Sequence, residues 1–330
     1  MGVVVTGSIA NDYLMTFPGR FAELIVPEQI GRLSLSFLVD ELEVRRGGVA
    51  ANICFGMAQL GLRPVLVGAV GHDFADYRAW LERHGIDTAS VHVSEFKHTA
   101  RFLCTTDVDQ SQIASFYAGA MEEARQIELA PVASRLGGVD LVVVSPNDPA
   151  AMVHHTEEAR RAEIPFVADP SQQLARMSGS DIRALIEGAA YLVMNDYERS
   201  LLEAKTGWSH ADVLARVAVC VTTLGEQGCV IERFGKEDMA VPAVPATVVL
   251  DPTGVGDAFR AGFIAGRLRG LSLERAAQLG CALATLVLEA VGTQEYTVES
   301  ESFLRRIGAA YGQAAAGEVA ATLPSLNPES

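Results

Sequence analysis

The sequence predicts an α/β protein with a mostly parallel central sheet that carries helices on both faces, and with a smaller β sheet as a lid. Two observations predict this fold. From about residue 120 onward, short apolar strands alternate with helical segments, which is typical of a parallel sheet covered by helices. Residues 13–43 and 94–118 are instead rich in β-forming residues and lack a helical period.

The large domain is predicted to comprise residues 1–12, 44–93 and 119–330. Its strands are expected at 3–5, 64–70, 141–145, 166–168, 191–194, 219–223 and 230–232. Its helices are expected at 53–60, 77–84, 150–162, 181–188, 197–206, 212–216, 258–269, 273–290 and 300–316.

The lid is predicted to comprise residues 13–43 and 94–118. Within the first segment, residues 33–40 alternate between apolar and polar side chains like a half-buried strand. The second segment contains Phe102 and Phe116 among β-forming residues. Because the two segments share this character, we expect one small sheet that covers the mouth of the large domain.

Composition limits the classes of function. The chain has 330 residues, 26 Lys and Arg against 41 Asp and Glu, and a net charge of −15, which argues against nucleic acid as a partner. The five cysteines are scattered and no CxxC occurs, so we expect reduced core residues in a cytoplasmic protein. No apolar run is long enough to cross a membrane.

Residues 251–263 form the stretch around which the chain is organised. Asp251-Pro-Thr-Gly-Val-Gly-Asp257 is polar and glycine-rich, and an apolar helical run follows it. Such a loop directs backbone N–H groups and a helix dipole at one point, which favours an anion. Asp257 lies in the first turn, where it would be placed to act as a base in phosphoryl transfer. The alternative is an ordinary capped helix in which Asp257 only complements the dipole.

Two other motifs offer polar groups for a ligand. Asp12 follows the first strand, and Gly48 and Asn52 precede a helix; an Asp and an Asn together can bind a vicinal diol. Local capping or turn formation explains each of them better when it is taken singly.

Phe102 and Phe116 fall in the predicted lid, where two rings can stack on a flat base. Ordinary packing of the small sheet is the alternative. Gln172, Gln173 and Arg176 follow a strand and offer two amides and a guanidinium.

Asn195 and Glu198, three residues apart after another strand, are suited to hydrated Mg²⁺ near phosphates. They are equally suited to a capping box, with Asn195 as the N-cap. Thr223 and Gly225 lie in a strand end and turn that either contacts a nucleotide or closes a hairpin. The P-loop pattern GxxxxGK[ST] and the dinucleotide pattern GxGxxG are absent from the sequence.

These motifs occur together in a familiar order. Gly47-Gly48-Val-Ala-Ala-Asn52, the pair Asn195 and Glu198, and Asp251 through Phe263 resemble motifs of the ribokinase (PfkB) family. The resemblance covers residues 1–315 and implies a three-layer α/β/α domain with a β lid. Within that family the chain is most similar to the actinobacterial type of adenosine kinase, through stretches such as Phe17-Pro-Gly-Arg-Phe21 and Gly292-Thr-Gln-Glu295.

The resemblance implies an adenosine kinase of purine salvage that transfers the γ-phosphoryl group of ATP to the 5′-hydroxyl of adenosine. Asp257 would be the general base, and the backbone of Thr253, Gly254, Val255 and Gly256 would bind the transferring group. The implied adenosine site consists of Asp12, Gly48 and Asn52 at the ribose, Phe102 and Phe116 at the adenine, and Ser8, Gln172, Gln173 and Arg176 around them.

The resemblance also implies how cofactors and a partner subunit bind. Asn195, Glu198, Thr223 and Gly225 would serve ATP, with Asn195 and Glu198 holding Mg²⁺ through water. Asp251 and Thr253 match part of a potassium site, since members of the family often respond to K⁺. The lid would form a homodimer interface.

Two other functions stay open at this stage. A ribokinase- or fructokinase-like sugar kinase would use Asp12 and Asn52 in the same way but would gain nothing from two aromatic faces. A catalytically silent nucleoside sensor is the second rival, and the base at Asp257 argues against it.

Overall fold

The structure, a computed structural model, describes residues 2–24 and 35–323. In chain order the strands are β1 (Val3–Thr6), β2 (Ala10–Thr16), β3 (Glu41–Gly47), β4 (Val65–Val70), β5 (Val91–Val93), β6 (Ala100–Thr106), β7 (Gln112–Tyr117), β8 (Leu141–Val144), β9 (Phe166–Ala168), β10 (Tyr191–Asn195), β11 (Cys220–Thr223), β12 (Cys229–Glu232) and β13 (Met239–Val241). The helices are α1 (Phe21–Leu24), α2 (Val49–Gln59), α3 (Ala75–Arg83), α4 (Leu129–Leu136), α5 (Pro149–Arg161), α6 (Gly179–Ile186), α7 (Asp196–Thr206), α8 (His210–Leu214), α9 (Val255–Leu268), α10 (Leu273–Leu288), α11 (Ser300–Tyr311) and α12 (Gln313–Thr322).

Nine of these strands form one large sheet in the order β13-β12-β11-β10-β9-β8-β1-β4-β5. All neighbours from β11 to β5 are parallel, and β12 and β13 are added as an antiparallel edge. Every residue of β1, β4 and β8 is buried, as expected for parallel strands that are covered on both faces. The predicted mostly parallel sheet is confirmed.

The second sheet has four strands in the order β3-β2-β6-β7 and is called the lid sheet below. Strand β2 pairs antiparallel with β3 and parallel with β6, and β6 and β7 are antiparallel. The prediction that two separate β-rich segments form one small sheet is therefore confirmed. The exact division of the chain into two domains stays a prediction.

The strand predicted at residues 33–40 is not found at residues 35–40, which lie outside any strand. Residues 33 and 34 lie outside the described part of the chain. Phe37 packs instead against the rings of Phe17 and Phe21, with centroids 5.0 and 5.2 Å away. The strand of this region is β3, which begins at Glu41 and pairs with β2 along seven residues. An alternating pattern does not by itself show which of two adjacent stretches pairs.

The helix predicted at residues 300–316 is two helices. Helix α11 ends at Tyr311 because Gly312 has a φ of +91°, and α12 starts directly after it. Helices α1 and α4 and strands β5 and β13 were not predicted. Helices α2 and α9 begin several residues earlier than expected, at the residue after a glycine in each case.

Two expectations from composition concern the whole chain. No helix among residues 2–24 and 35–323 is long and apolar enough to cross a membrane. All five cysteines are buried and unpaired.

Candidate active site

The site is built around the start of helix α9. Gly254 precedes the helix with a φ of +77°, a left-handed conformation that favours glycine. A Cβ at this position would lie 2.8 Å from the side chain of Thr293. The amides of the first helical turn have no intrahelical partners and point toward the preceding loop. Residues 251–256, which are called the glycine loop below, thus form a helix start of the kind that favours an anion.

Asp257 lies in the first turn of α9, next to this loop. Its Oδ2 accepts a hydrogen bond from Nδ2 of Asn52 at 2.9 Å. Burial raises the pKa of Asp257 to about 6, although the nearby Arg260 guanidinium and the Asn52 hydrogen bond oppose that shift. The carboxylate is therefore ionised at neutral pH but is a better proton acceptor than an exposed aspartate.

A polar network fixes the orientation of Asn52. Its Oδ1 accepts hydrogen bonds from Thr293 Oγ1 and Gln294 Nε2, both at 2.9 Å. Gln294 Nε2 also donates to the hydroxyl of Tyr77 at 2.6 Å. Because both acceptor bonds fall on Oδ1, the amide group must direct Nδ2 at Asp257. Asn52 is thus a positioning partner of Asp257 as well as a candidate ribose ligand.

Helix α2 reaches the site because Gly48 allows a close backbone approach. Gly48 has a φ of +95°, and a Cβ there would lie 2.6 Å from the backbone of Ser8 and Ile9. Ser8 Oγ accepts a hydrogen bond from the amide of Val49 at 3.0 Å. The end of β1 and the start of α2 are thereby held together, and Asn52 follows in the first turn.

Four side chains form one row across the lid sheet, called the lid row below. Asp12 on β2 lies opposite Arg45 on β3 and opposite Phe102 on β6. Phe102 in turn lies opposite Phe116 on β7. Directly opposed residues of neighbouring strands share a face, so the row presents a cation, a carboxylate and two aromatic rings together. Burial raises the pKa of Asp12 to about 6, and Asp251 and Asp257 add to this rise.

A cavity of about 510 Å³ lies between the lid row and the glycine loop, a size typical of small-molecule sites. The predicted residues that line it are Ser8, Asp12, Gly48, Asn52, Phe102, Phe116, Gln172, Gln173, Arg176, Thr253, Gly254 and Asp257. The lining residues that were not predicted are Ala10, Val49, Met121, Pro146 and Thr293. The predicted residues outside the lining are Asp251, Val255, Gly256, Asn195, Glu198, Thr223 and Gly225. The ligand roles themselves stay predictions.

Asn195 and Glu198 form the capping box that was the alternative to a magnesium site. Asn195 Oδ1 accepts from the Glu198 amide at 2.7 Å, and Glu198 Oε2 accepts from the Asn195 amide at 2.8 Å. Asn195 is also in register with Thr223 at the carboxyl edge of the large sheet. The other oxygen of Glu198 accepts only a long bond of 3.3 Å from Ser171, and the charge of Glu198 raises the pKa of Asp257. A capping role and a water-mediated contact with Mg²⁺ are therefore compatible.

A buried ion pair beneath the glycine loop was not predicted. Arg260 Nη2 lies 2.7 Å from Asp169 Oδ1, and the two side chains are 7% and 0% exposed. The Arg260 guanidinium also packs against Gly256, since a Cβ there would lie 2.7 Å from Nη1. Arg260 follows Asp257 by three residues on α9, so its charge favours the ionised form of that carboxylate.

The potassium site implied by Asp251 and Thr253 does not fit the structure. Asp251 Oδ1 accepts from the Thr253 amide at 2.9 Å, and Oδ2 accepts from the Gly292 amide at 3.1 Å. Arg45 Nη1 also donates to Oδ2 at 3.3 Å. A potassium ion on this carboxylate would therefore face a guanidinium, and like charges repel each other. Among the described residues, no group of three or more His, Cys, Asp or Glu is placed to hold a metal ion.

Comparison with known proteins agrees with this geometry. Residues 5–300 match the family described as pfkB family carbohydrate kinase. A nucleoside kinase of Methanocaldococcus jannaschii is 32% identical over 250 residues, which cover 75% of this chain and 80% of that protein.

Two solved structures of Burkholderia thailandensis nucleoside kinase are also similar. The complex with inosine has a TM-score of 0.82 and 35% identity, and covers 94% of this chain and 98% of that one. The complex with ADP-inosine has a TM-score of 0.80 and 36% identity, and covers 94% and 96%.

Proposed function

The chain belongs to the pfkB family of carbohydrate kinases, which are ATP-dependent phosphotransferases, and on this premise we propose that it is a nucleoside kinase. Its proposed reaction transfers the γ-phosphoryl group of ATP to the 5′-hydroxyl of adenosine and gives AMP, as in purine salvage. The observation that carries the proposal is the lid row, which places two aromatic rings beside a carboxylate on the cavity face. A sugar needs the carboxylate, whereas only a base gains from the two rings.

Asp12 is the proposed ligand of the ribose 2′- and 3′-hydroxyls, since an ionised carboxylate accepts two hydrogen bonds from a diol. Asn52 is more constrained, because its Oδ1 already accepts from Thr293 and Gln294. Asn52 can therefore contact the ribose only by donating a hydrogen bond from the second N–H of Nδ2, since the first N–H donates to Asp257. Ser8, Gln172, Gln173 and Arg176 are proposed to complete the nucleoside site.

Asp257 is the proposed general base. With its pKa at about 6, it accepts the proton of the 5′-hydroxyl as that oxygen attacks the γ-phosphorus. The negative charge of the transferring group lies at the start of α9, where backbone N–H groups and the helix dipole stabilise it. Mg²⁺ bound with ATP would neutralise phosphate charge, with Asn195 and Glu198 as its candidate water-mediated partners. Thr223 and Gly225 are proposed to contact the nucleotide at the carboxyl edge of the sheet.

The lid sheet is the proposed surface for a homodimer. Its strand β3 exposes Leu42 at 59% and Val44 at 53%, and exposed apolar side chains side by side on one strand favour a partner surface. Light scattering would give the mass of a dimer, and a monomer at assay concentration would contradict this proposal. The buried, unpaired cysteines support a cytoplasmic location.

The proposal is tested by ADP formation from ATP with adenosine, inosine, cytidine, ribose and fructose as acceptors. We expect adenosine to support turnover and the two sugars to support little. Faster turnover of ribose or fructose would replace the proposal by the sugar kinase alternative. Faster turnover of inosine than of adenosine would support a nucleoside kinase but change the nucleobase of its proposed substrate. No ATP consumption with any acceptor would favour the silent sensor.

A further inference from the structure

Arg45 is the member of the lid row that connects the lid sheet to the glycine loop. Its Nη1 donates to Asp251 at 3.3 Å, while its Nε and Nη2 donate to the two carboxylate oxygens of Glu43 at 2.7 and 2.6 Å. The side chains of Arg45 and Asp251 are only 18% and 17% exposed. Solvent therefore screens their interaction much less than that of a surface pair.

Asp251 holds together the two loops that shape the catalytic end of the cavity. One oxygen fixes the Thr253 amide at the entry to α9, and the other fixes the amide of Gly292. The next residue, Thr293, donates to the Asn52 amide that in turn contacts the base. Any cation that balances the charge of Asp251 therefore supports the geometry of both loops.

The cavity concentrates negative charge around this point. Asp251 and Asp257 both raise the pKa of Asp12, and Arg45 lowers it. A nucleotide would add its phosphate charges to these three carboxylates. A positive charge near Asp251 is therefore needed, and the side chain of Arg45 supplies it.

We propose that Arg45 is a positioning residue that serves as the fixed cation of the glycine loop, so that the enzyme needs no monovalent metal ion. The inference rests on the proposed kinase function. It differs from the potassium site that the family resemblance implies, because the guanidinium lies against the carboxylate to which such an ion would bind.

The experiment compares initial rates in KCl and in choline chloride at equal ionic strength, with ATP, Mg²⁺ and the nucleoside that the wild type uses best. The wild type should respond equally to the two salts. Arg45→Met, which keeps the apolar stem but removes the charge, should lower kcat about 10- to 100-fold, by analogy with the loss of a partner that orients a metal ligand. KCl but not choline chloride should restore part of that loss, and Arg45→Lys should retain most of the activity.

Arg46→Met is the matched control. Arg46 is the neighbouring arginine on β3 and also reaches the loop after Gly292, with Nη1 3.7 Å from Glu295, and this ion pair does not involve Asp251. Whatever its effect on rate, this variant should show no rescue by KCl. Rescue by KCl that appears only in Arg45→Met would show that the lost positive charge causes the loss of activity. A merely structural role of Arg45 would not give this rescue.

Two results would overturn the inference: activation of the wild type by KCl but not by choline chloride, or an unchanged rate of Arg45→Met in choline chloride. If the wild type turns over no nucleoside, the proposed function fails, and calorimetric binding of ADP with Mg²⁺ in the two salts replaces the rate. Equal ADP affinity of the wild type in both salts would then support the inference, and tighter binding in KCl would overturn it. If Arg45→Met does not fold, the salt response of the wild type decides: equal rates in the two salts support the inference, and activation by KCl alone overturns it. Arg45→Lys should then still retain most of the activity.

Discussion

Replacing Phe116 with alanine removes one of the two aromatic rings that the lid row presents to the cavity. The side chain is 49% exposed, so we expect the free energy of unfolding to change by about 0.5 kcal/mol or less. Stacking of a base on one aromatic side chain contributes about 1–3 kcal/mol. Because about 1.4 kcal/mol corresponds to a tenfold change in affinity, the Kd for adenosine should rise about 5- to 150-fold.

Calorimetric titration of adenosine without ATP measures this change directly. Ile113→Ala is the matched control, because Ile113 lies three positions earlier on β7, is similarly exposed at 43% and points to the other face of the strand. It should leave the Kd unchanged. Ribose binding, if measurable, should be the same in Phe116→Ala and in the wild type. An adenosine Kd that does not change in Phe116→Ala would refute the stacking role and reassign both rings to packing of the lid sheet.

Three further results are expected. Asp257→Asn should lower kcat about 10²- to 10⁴-fold, as loss of a general base does, with adenosine affinity largely retained in calorimetry; near-normal turnover would mean that another group accepts the proton. Since the base must be ionised and its pKa is about 6, kcat/KM should fall at least about tenfold per pH unit below that value, and more steeply because the proposed ribose ligand Asp12 protonates in the same range. A flat pH–rate profile there would exclude Asp257. Asp12→Asn should weaken adenosine binding yet stabilise the fold at neutral pH. The folded-state pKa of Asp12, about 6, lies above its unfolded value of 3.8, so ionisation at neutral pH costs at most about 3 kcal/mol of stability. Urea unfolding should show that the variant has a higher free energy of unfolding than the wild type at pH 7, and that this difference disappears near pH 4. An equal difference at both pH values would contradict the raised pKa of Asp12.

Features encoded by local sequence could be predicted from the chain alone. The glycine loop opens a helix because Gly254 adopts a left-handed conformation directly before apolar helix-forming residues, and the glycine pair before α2 acts similarly. Strand alternation predicted the parallel sheet, and most strand bounds agree within one or two residues. Most candidate ligands follow these elements in sequence, and the resemblance to the ribokinase family implied their roles.

Features that depend on long-range pairing could not be predicted in this way. The lid row forms only when β2, β3, β6 and β7 adopt one register, and a shift of one residue would turn Arg45 away from Asp12. The contact of Asn52 with Gln294 joins residues 242 positions apart, and nothing local predicts it. The Asn195 and Glu198 pattern suits a cap and a magnesium partner equally well, so spacing alone could not separate the two roles.

The proposed phosphoryl transfer to the 5′-hydroxyl of a nucleoside is tested by the identity of the product. Purified protein is incubated with ATP, Mg²⁺ and adenosine, and the product is separated against 5′-, 3′- and 2′-AMP standards. We expect 5′-AMP and ADP in equal amounts, and formation of both about 10²- to 10⁴-fold slower with Asp257→Asn. ADP without any phosphorylated adenosine, or a phosphate on the 2′- or 3′-hydroxyl, would contradict the proposed transfer.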